Sequence, residues 1–364
     1  MEGLELISNF WHGKHVFLTG HTGFKGSWLS LLLQNLGAEV TGFSLEPSSK
    51  NNLFKIANVE KSMISIISDI RDLSNLQLAM KAAQPDIVIH MAAQPLVQLS
   101  YKEPVETYAT NVMGTVHVLE SIRNIPSIRA AVMVTTDKCY ENKEWLWGYR
   151  ENDTMGGHDP YSSSKACAEL ITSAYRHSYF NHQPPSNPSI ATARAGNVIG
   201  GGDWAANRLI PDILEAFEKK VPANIRNPSA IRPWQHVLEP LCGYLNLAKK
   251  LYLNGSDYAE SWNFGPQDKD VHPVEWVADY LANNWGGGAS WKEDLTNHPH
   301  ESHCIKLDIL KAKSRLGWEP QWPLEIALQK TLIWHKAWLN NEDMHKLCLS
   351  QIQEYFLTID SSLI

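Results

Sequence analysis

Gly20-His21-Thr22-Gly23-Phe24-Lys25-Gly26 is the stretch that decides the fold. It follows a short apolar run, residues 14–19, that reads as a buried strand. It opens segment 26–36, where Trp28, Leu29, Leu32, Leu33 and Leu36 recur at helical spacing before Gly37. Strand, glycine turn and helix in that order suit a pyrophosphate. The glycines permit a tight turn, close backbone approach and close helix–strand packing, and the helix N-terminus offers unpaired N–H groups with partial positive charge. Gly20, Gly23, Phe24 and Gly26 are therefore candidate cofactor contacts. Turns rich in glycine are common, so the flanking strand and helix carry this reading.

The alternation continues downstream. Segments 39–44, 63–67, 86–90, 130–135 and 189–195 read as strands, and 105–122 and 162–179 as helices. Strands alternating with helices predict an α/β fold with a doubly wound parallel sheet covered on both faces. After Gly200 the rhythm changes, with helical segments 210–219, 240–253 and 274–283 separated by Pro-, Gly- and Trp-rich loops. This predicts a dinucleotide-binding domain over 1–195. Residues 196–364 then form a smaller, mostly helical substrate region, with some chain returning to the sheet. The Pro-rich stretch 183–188 reads as a surface loop, and Trp262, Trp276, Trp285 and Trp291 as packing for the second region.

Composition narrows the function classes. The 364 residues carry a net charge of −7 without any run of lysine or arginine, which argues against a nucleic-acid partner. A small phosphorylated ligand needs only one or two placed arginines. The five cysteines are scattered and odd in number, as expected for reduced thiols in a cytoplasmic protein. Residues 1–9 include Glu2 and Glu5 and lack the pattern of a secretory signal, and no apolar stretch approaches the ~20 residues that span a bilayer.

Cofactor identity is read at two strand ends. Ser44 and Leu45, with Glu46 just beyond, stand where an acidic residue commonly holds an NAD ribose. Nothing basic there suits a 2′-phosphate, so NAD is favoured over NADP. Asp69 follows the third strand and is placed to bond the adenine amine, although a solvated aspartate would look the same.

Tyr161-Ser162-Ser163-Ser164-Lys165 puts a phenol and an ammonium one helical turn apart. A neighbouring ammonium favours the phenolate, which predicts a lowered pKa and a basic role for Tyr161. Thr135-Thr136-Asp137-Lys138 ends the fifth strand, at the edge where doubly wound sheets bind ligands.

Taken in order, the glycine turn, His90-Met91-Ala92-Ala93-Gln94, Thr110-Asn111-Val112-Met113-Gly114-Thr115, Thr135-Thr136-Asp137 and Tyr161 to Lys165 resemble the extended short-chain dehydrogenases/reductases that act on nucleotide sugars. The resemblance covers nearly the whole chain. Thr136-Asp137-Lys138, Gln94-Pro95-Leu96-Val97, the Asn197 to Trp204 segment and Leu316-Gly317-Trp318-Glu319-Pro320 look most like the 4,6-dehydratase branch acting on CDP-glucose.

That resemblance implies a mechanism and a site. Tyr161 takes the sugar 4-hydroxyl proton while hydride leaves C4 for NAD, and Thr136 bonds that hydroxyl. The 4-ketone acidifies the C5 proton, and Asp137 assists departure of the 6-hydroxyl. The hydride then returns to C6, leaving a 4-keto-6-deoxy sugar. An acid at Asp137 must hold its proton, which burial favours. Lys165 would also bond the nicotinamide ribose, and Asp69, Ile70, Ala92, Ala93 and Thr110 would line the cofactor. Gln94, Asn197, Arg208, Leu209, Arg232 and His300 would hold the nucleotide sugar, with arginine forks suiting a diphosphate.

Position 138 departs from the dTDP-glucose dehydratases, which carry glutamate as the C5 base. Lys138 could be that base or only stabilise the enolate, and its role stays open. Histidines 298, 300 and 303 near Glu301 match no common zinc spacing, and no metal is expected.

The competing readings are a dTDP-glucose or GDP-mannose dehydratase, a 4-epimerase, and a non-catalytic sensor on the same fold. An epimerase has no need of the acid at Asp137, and a sensor has no need of an intact Tyr161–Lys165 pair. The resemblance further implies a homodimer or homotetramer paired through the helices at 105–122 and 162–179. It also implies a place in bacterial cell-surface deoxysugar (O-antigen) synthesis.

Overall fold

The computed structural model describes residues 10–47, 49–180, 187–296 and 305–359. Its centre is a seven-stranded parallel sheet. Five strands come first along the chain: β1 (His15–Thr19), β2 (Glu39–Ser44), β3 (Ile64–Ile67), β4 (Ile87–His90) and β5 (Ala130–Val134). Then come β6 (Ser189–Ala195), two short strands β7 (Asn197–Ile199) and β8 (Ala223–Ile225), β9 (Ile231–His236) and β10 (Ser261–Phe264). The order across the sheet is β10-β6-β5-β4-β1-β2-β3.

Both sheet faces are buried, so the strands read as apolar runs rather than alternating ones. Alternate residues still go to different cores. Val16, Leu18, Ile87, Ile89, Ala130 and Val132 meet α1 (Phe24–Asn35) on one side. Phe17, Val88, Ala131 and Met133 meet α2 (Leu73–Ala83) and α3 (Gly114–Arg123) on the other. Each fully buried Leu, Ile or Val contributes roughly 1.5–3 kcal/mol of transfer free energy, which makes this sheet the rigid platform for the site.

The segment expected as one helix over 105–122 is instead a short helix Pro104–Tyr108, a single widened turn Ala109–Met113, and α3. α4 (Pro160–Tyr175) starts where Asp159 accepts from the Ser162 N–H at 2.9 Å, with Pro160 in the first turn. α2 was not apparent in the sequence, because its exposed face interrupts the apolar pattern.

Beyond β6 the chain builds a second core from α5 (Leu209–Glu218), α7 (Val274–Trp285) and α8 (Leu324–Leu339) around Ile213, Phe217, Val277 and Leu328. Between α5 and α7, α6 (Leu238–Asn254) packs on the main sheet, and α9 (Met344–Phe356) closes the described chain. β7 and β9 form a small sheet with β11 (Val271–Pro273), and β8 pairs with β12 (Trp291–Glu293). Trp276, Trp285 and Trp291 pack on this second core. Trp262 does not: it lies on β10 in the main core, because that strand crosses back to pair with β6.

Candidate active site

The carboxyl ends of β1, β4 and β5 meet the amino ends of α1 and α4. The glycine turn is built by contact. At Gly20 (φ +79°) a Cβ would lie 2.8 Å from the Ala92 nitrogen, and at Gly26 it would lie 2.0 Å from the Gly20 carbonyl oxygen. At Gly23, exposed at the head of α1, it would meet only that same oxygen, at 3.4 Å. No side chain caps α1 and no acid lies in its first turn, so its N–H groups and positive dipole end face the open side of the turn. This cradle fits a dinucleotide pyrophosphate. Phe24 packs back into the core beside it.

The loop after β4 is pinned from two sides. The Thr19 hydroxyl accepts from the Met91 and Ala92 N–H groups at 3.0 and 3.1 Å and lies 2.7 Å from His90 Nδ1. Burial, aided by Lys165, pushes the His90 pKa down to about 3, so its ring is neutral. Asn111 accepts from the Gln94 N–H at 2.8 Å and donates to Ser164 on α4 at 2.9 Å. Ala92 and Ala93 thus sit half-buried at the sheet edge, with Thr110 half-buried in the widened turn beside Asn111. Gln94 spends its own amide on Thr107 and on the Leu96 N–H. Thr19 did not stand out in the sequence, and Asn111 did so only as part of the Thr110 to Thr115 motif, since their work is to hold backbone.

Beyond the end of β3, Asp69 is gripped by Arg71, whose Nε donates at 2.9 Å, and that pairing holds its carboxyl below the usual range. Ile70 is buried against Gly114, where a Cβ would come within 2.5 Å of it. The Ser44 hydroxyl lies 2.9 Å from that of Thr22, which closes the end of β2.

Thr136, Asp137, Tyr161 and Lys165 come together at the end of β5, all buried. Thr136 hydrogen-bonds with the Tyr161 phenol and donates to Asp137 Oδ1 at 3.0 Å. Lys138 Nζ donates to the same oxygen at 3.3 Å. Among the described residues, Asp137 Oδ2 has no hydrogen-bond partner although the carboxyl is 1% exposed.

One expectation fails here. Tyr161 is not acidified: burial, with Asp137 adding to it, pushes its pKa up to about 12 against the opposing Thr136 bond and Arg208. The reason is that Lys165 points to the sheet, donating to the Val134 carbonyl at 3.2 Å, and burial lowers its own pKa to about 8.

The substrate-side candidates are more spread. Asn197 begins β7, pairing with Trp234. Arg208 stands just before α5 and donates to Asp203 at 2.9 Å, and its charge still acts on Tyr161. Leu209 packs on the second core, and Arg232 on β9 donates to the Ile231 carbonyl at 3.0 Å. His300 lies outside the described residues, as do histidines 298 and 303, Glu301 and most of the Pro-rich loop. Among the described residues, no cluster of three or more His, Cys, Asp or Glu side chains could hold a metal, and no helix is long and apolar enough to cross a membrane.

Residues 17–247 match the model of the GDP-mannose 4,6 dehydratase family. The chain belongs to that family. A CDP-glucose 4,6-dehydratase from Salmonella typhimurium is 54% identical over 352 residues, spanning 95% of this chain and 97% of the relative. Among solved structures, an epimerase from the methanogen Methanothermobacter thermautotrophicus superposes with TM-score 0.81 at 23% identity, covering 94% of this chain and 97% of its own. An NAD complex of dTDP-glucose 4,6-dehydratase from Bacillus anthracis gives 0.72 at 23%, covering 92% and 99%. Both structures share the sheet and flanking helices seen in this family member.

Proposed function

We propose that this chain dehydrates CDP-glucose to the 4-keto-6-deoxy sugar with bound NAD. The observation that carries the reaction is Asp137, a buried carboxyl with one oxygen free, set beside Thr136 and Tyr161. The choice of CDP-glucose is supported by the 54% identical relative.

NAD bound in the glycine cradle would accept hydride from C4 and return it to C6. The chain's own residues move the protons. Thr136 orients the sugar 4-hydroxyl and Tyr161 takes its proton. A phenol raised by burial does this only when positive charge stands beside it, so Tyr161 ionises in the loaded site rather than in the empty one. Asp137 Oδ2 gives its proton to the departing 6-hydroxyl, while Lys138 and Thr136 hold Oδ1. Arg208, with Asn197, Leu209 and Arg232, holds the nucleotide diphosphate and sugar at the mouth.

The enzyme works as a homodimer. Val105 (78% exposed), Tyr108, Met113 and Leu170 leave an apolar face on the helices flanking the site, which a second copy would cover. Cys139, Cys167, Cys242 and Cys348 are free thiols, as a cytoplasmic enzyme would keep them.

The test incubates purified protein with CDP-, dTDP- and UDP-glucose and GDP-mannose, and reads loss of water by mass. Product from CDP-glucose is expected. Product mainly from another nucleotide would refute the CDP assignment, and none from any, with folded and NAD-loaded protein, would refute the dehydration.

A further inference from the structure

The oxygen that must act as the acid is covered in this structure. Asp137 Oδ2 is closed off from solvent and, among the described residues, has no hydrogen-bond partner. Beside it stands Gly196, the single residue between β6 and β7. A Cβ on Gly196 would lie 3.0 Å from Oδ2, and 3.5 Å from both the ring and the carbonyl oxygen of Pro233 on β9. The bare α-carbon of Gly196 thus rests against the acid oxygen, with buried Pro233 bounding the small space between. The backbone at Gly196 is not left-handed, so this place favours glycine by contact rather than by conformation.

An oxygen covered in this way cannot meet a sugar hydroxyl until one side of it gives. On one side, Oδ1 is held by the Thr136 hydroxyl and the Lys138 ammonium, just beyond an interior strand of the seven-stranded sheet. On the other, Gly196 meets Oδ2 by contact alone, which is weaker than bonds of that kind. β7, which follows Gly196, has only three residues and is the edge of a three-stranded sheet. Its first residue is Asn197, paired with Trp234, and Arg232 precedes Pro233 on the strand it pairs with. The two residues that bound the space therefore each adjoin a candidate for the nucleotide sugar.

We infer that Gly196 is a positioning residue for Asp137, a cover that the nucleotide sugar lifts from the acid oxygen by engaging Asn197; this rests on the dehydration reading above. Before binding, the cover keeps water from the carboxyl. When the diphosphate is gripped, β7 shifts with Asn197 and Gly196 moves off Oδ2, which is then turned toward the 6-hydroxyl. Oδ1 stays bonded throughout, so the acid is uncovered without losing its orientation.

The experiment labels NAD-loaded protein with a water-soluble carbodiimide and glycine ethyl ester, and maps Asp137 by peptide mass. Saturating CDP supplies the diphosphate and leaves the sugar pocket free for the reagent. Asp137 should resist labelling without CDP and label at least about tenfold faster with it. In Gly196→Ala, a methyl is set against Oδ2 and holds the cover down. With CDP-glucose this variant should still oxidise C4, so reduced cofactor accumulates, while water loss falls roughly tenfold with little change in KM. A packing defect would instead slow both steps together.

Equal labelling of Asp137 with and without CDP, at either level, would overturn the inference, as would water loss at the parent rate in Gly196→Ala. Should that variant not fold, labelling of the parent protein decides alone. Parent protein that dehydrates no nucleotide sugar refutes the dehydration reading, a separate outcome.

Discussion

Arg194 on β6 places its guanidinium 2.8 Å from the Glu169 carboxylate on α4, and the two side chains are only 2% and 3% exposed. Glu169 also accepts from Thr135 and, at 2.7 Å, from Thr192. Burial alone would raise this carboxyl, but Arg194 and the two hydroxyls hold it below its usual range. The pair ties the helix bearing Tyr161 and Lys165 to β6, and the Thr135 bond ties the same helix to the strand end bearing Thr136 and Asp137. Removing one partner of a buried pair typically costs about 3–5 kcal/mol, since the other charge is left uncompensated. Glu169→Gln should therefore lower the unfolding midpoint well beyond a surface change. It should also lower the Lys165 pKa further, because the Glu169 charge supports that ammonium. Thermal unfolding checks the first effect, and a variant as stable as the parent would show that the hydrogen bonds alone suffice.

Gly23→Ala and Gly26→Ala separate cofactor binding from folding. At Gly26 the added Cβ would sit 2.0 Å from a backbone oxygen, which only movement of the turn relieves. Overpacking of this kind costs about 1–3 kcal/mol or more. At Gly23 the same atom meets one oxygen at 3.4 Å and otherwise faces outward. Gly26→Ala should lose both stability and retained NAD. Gly23→Ala should keep its unfolding midpoint while losing NAD on gel filtration, and retention by both variants would rule out the cradle.

Much of this was legible in the sequence, and what was not follows a physical pattern. β2 and β6 lie where their β-branched and apolar runs place them, because parallel strands buried on both faces leave no other reading. Tyr161 and Lys165, named from their spacing, and Thr136 and Asp137, named from the end of the fifth strand and the family likeness, come together in the structure. β10 was missed because Ser261-Trp262-Asn263-Phe264 pairs with a strand 69 residues earlier in register, Ser261 against Thr192, and no local pattern encodes that. The Tyr161 pKa was misjudged because helical spacing brings Lys165 alongside but says nothing of the Val134 carbonyl that claims its ammonium.

Glu239 gives the second region a measurable pH signature. Its carboxylate accepts from the Trp322 N–H at 2.7 Å and the Tyr355 hydroxyl at 2.6 Å, joining α6 to the chain around α8 and α9. Burial raises its pKa from 4.5 to about 7, outweighing those bonds. A group raised on folding stabilises fully below its unfolded value and loses that contribution as pH climbs to the folded one. Stability should therefore decline between about pH 4.5 and 7 by roughly 3 kcal/mol from this group. Denaturant unfolding across that window should show the decline in the parent and a flatter profile in Glu239→Gln.

Tyr161→Phe tests the first proton transfer. The substitution removes the hydroxyl bonded with Thr136 while keeping the ring, and Thr136 retains its 3.0 Å bond to Asp137. The pocket should keep its shape, so KM for CDP-glucose should change little while kcat falls about 10²–10⁴-fold, the usual worth of a positioned base. Because the 4-hydroxyl then keeps its proton, C4 is not oxidised and no reduced cofactor accumulates. A Tyr161→Phe protein that accumulates reduced cofactor at the parent rate would remove Tyr161 from the first step and leave Thr136 or Lys165 to be tested in its place.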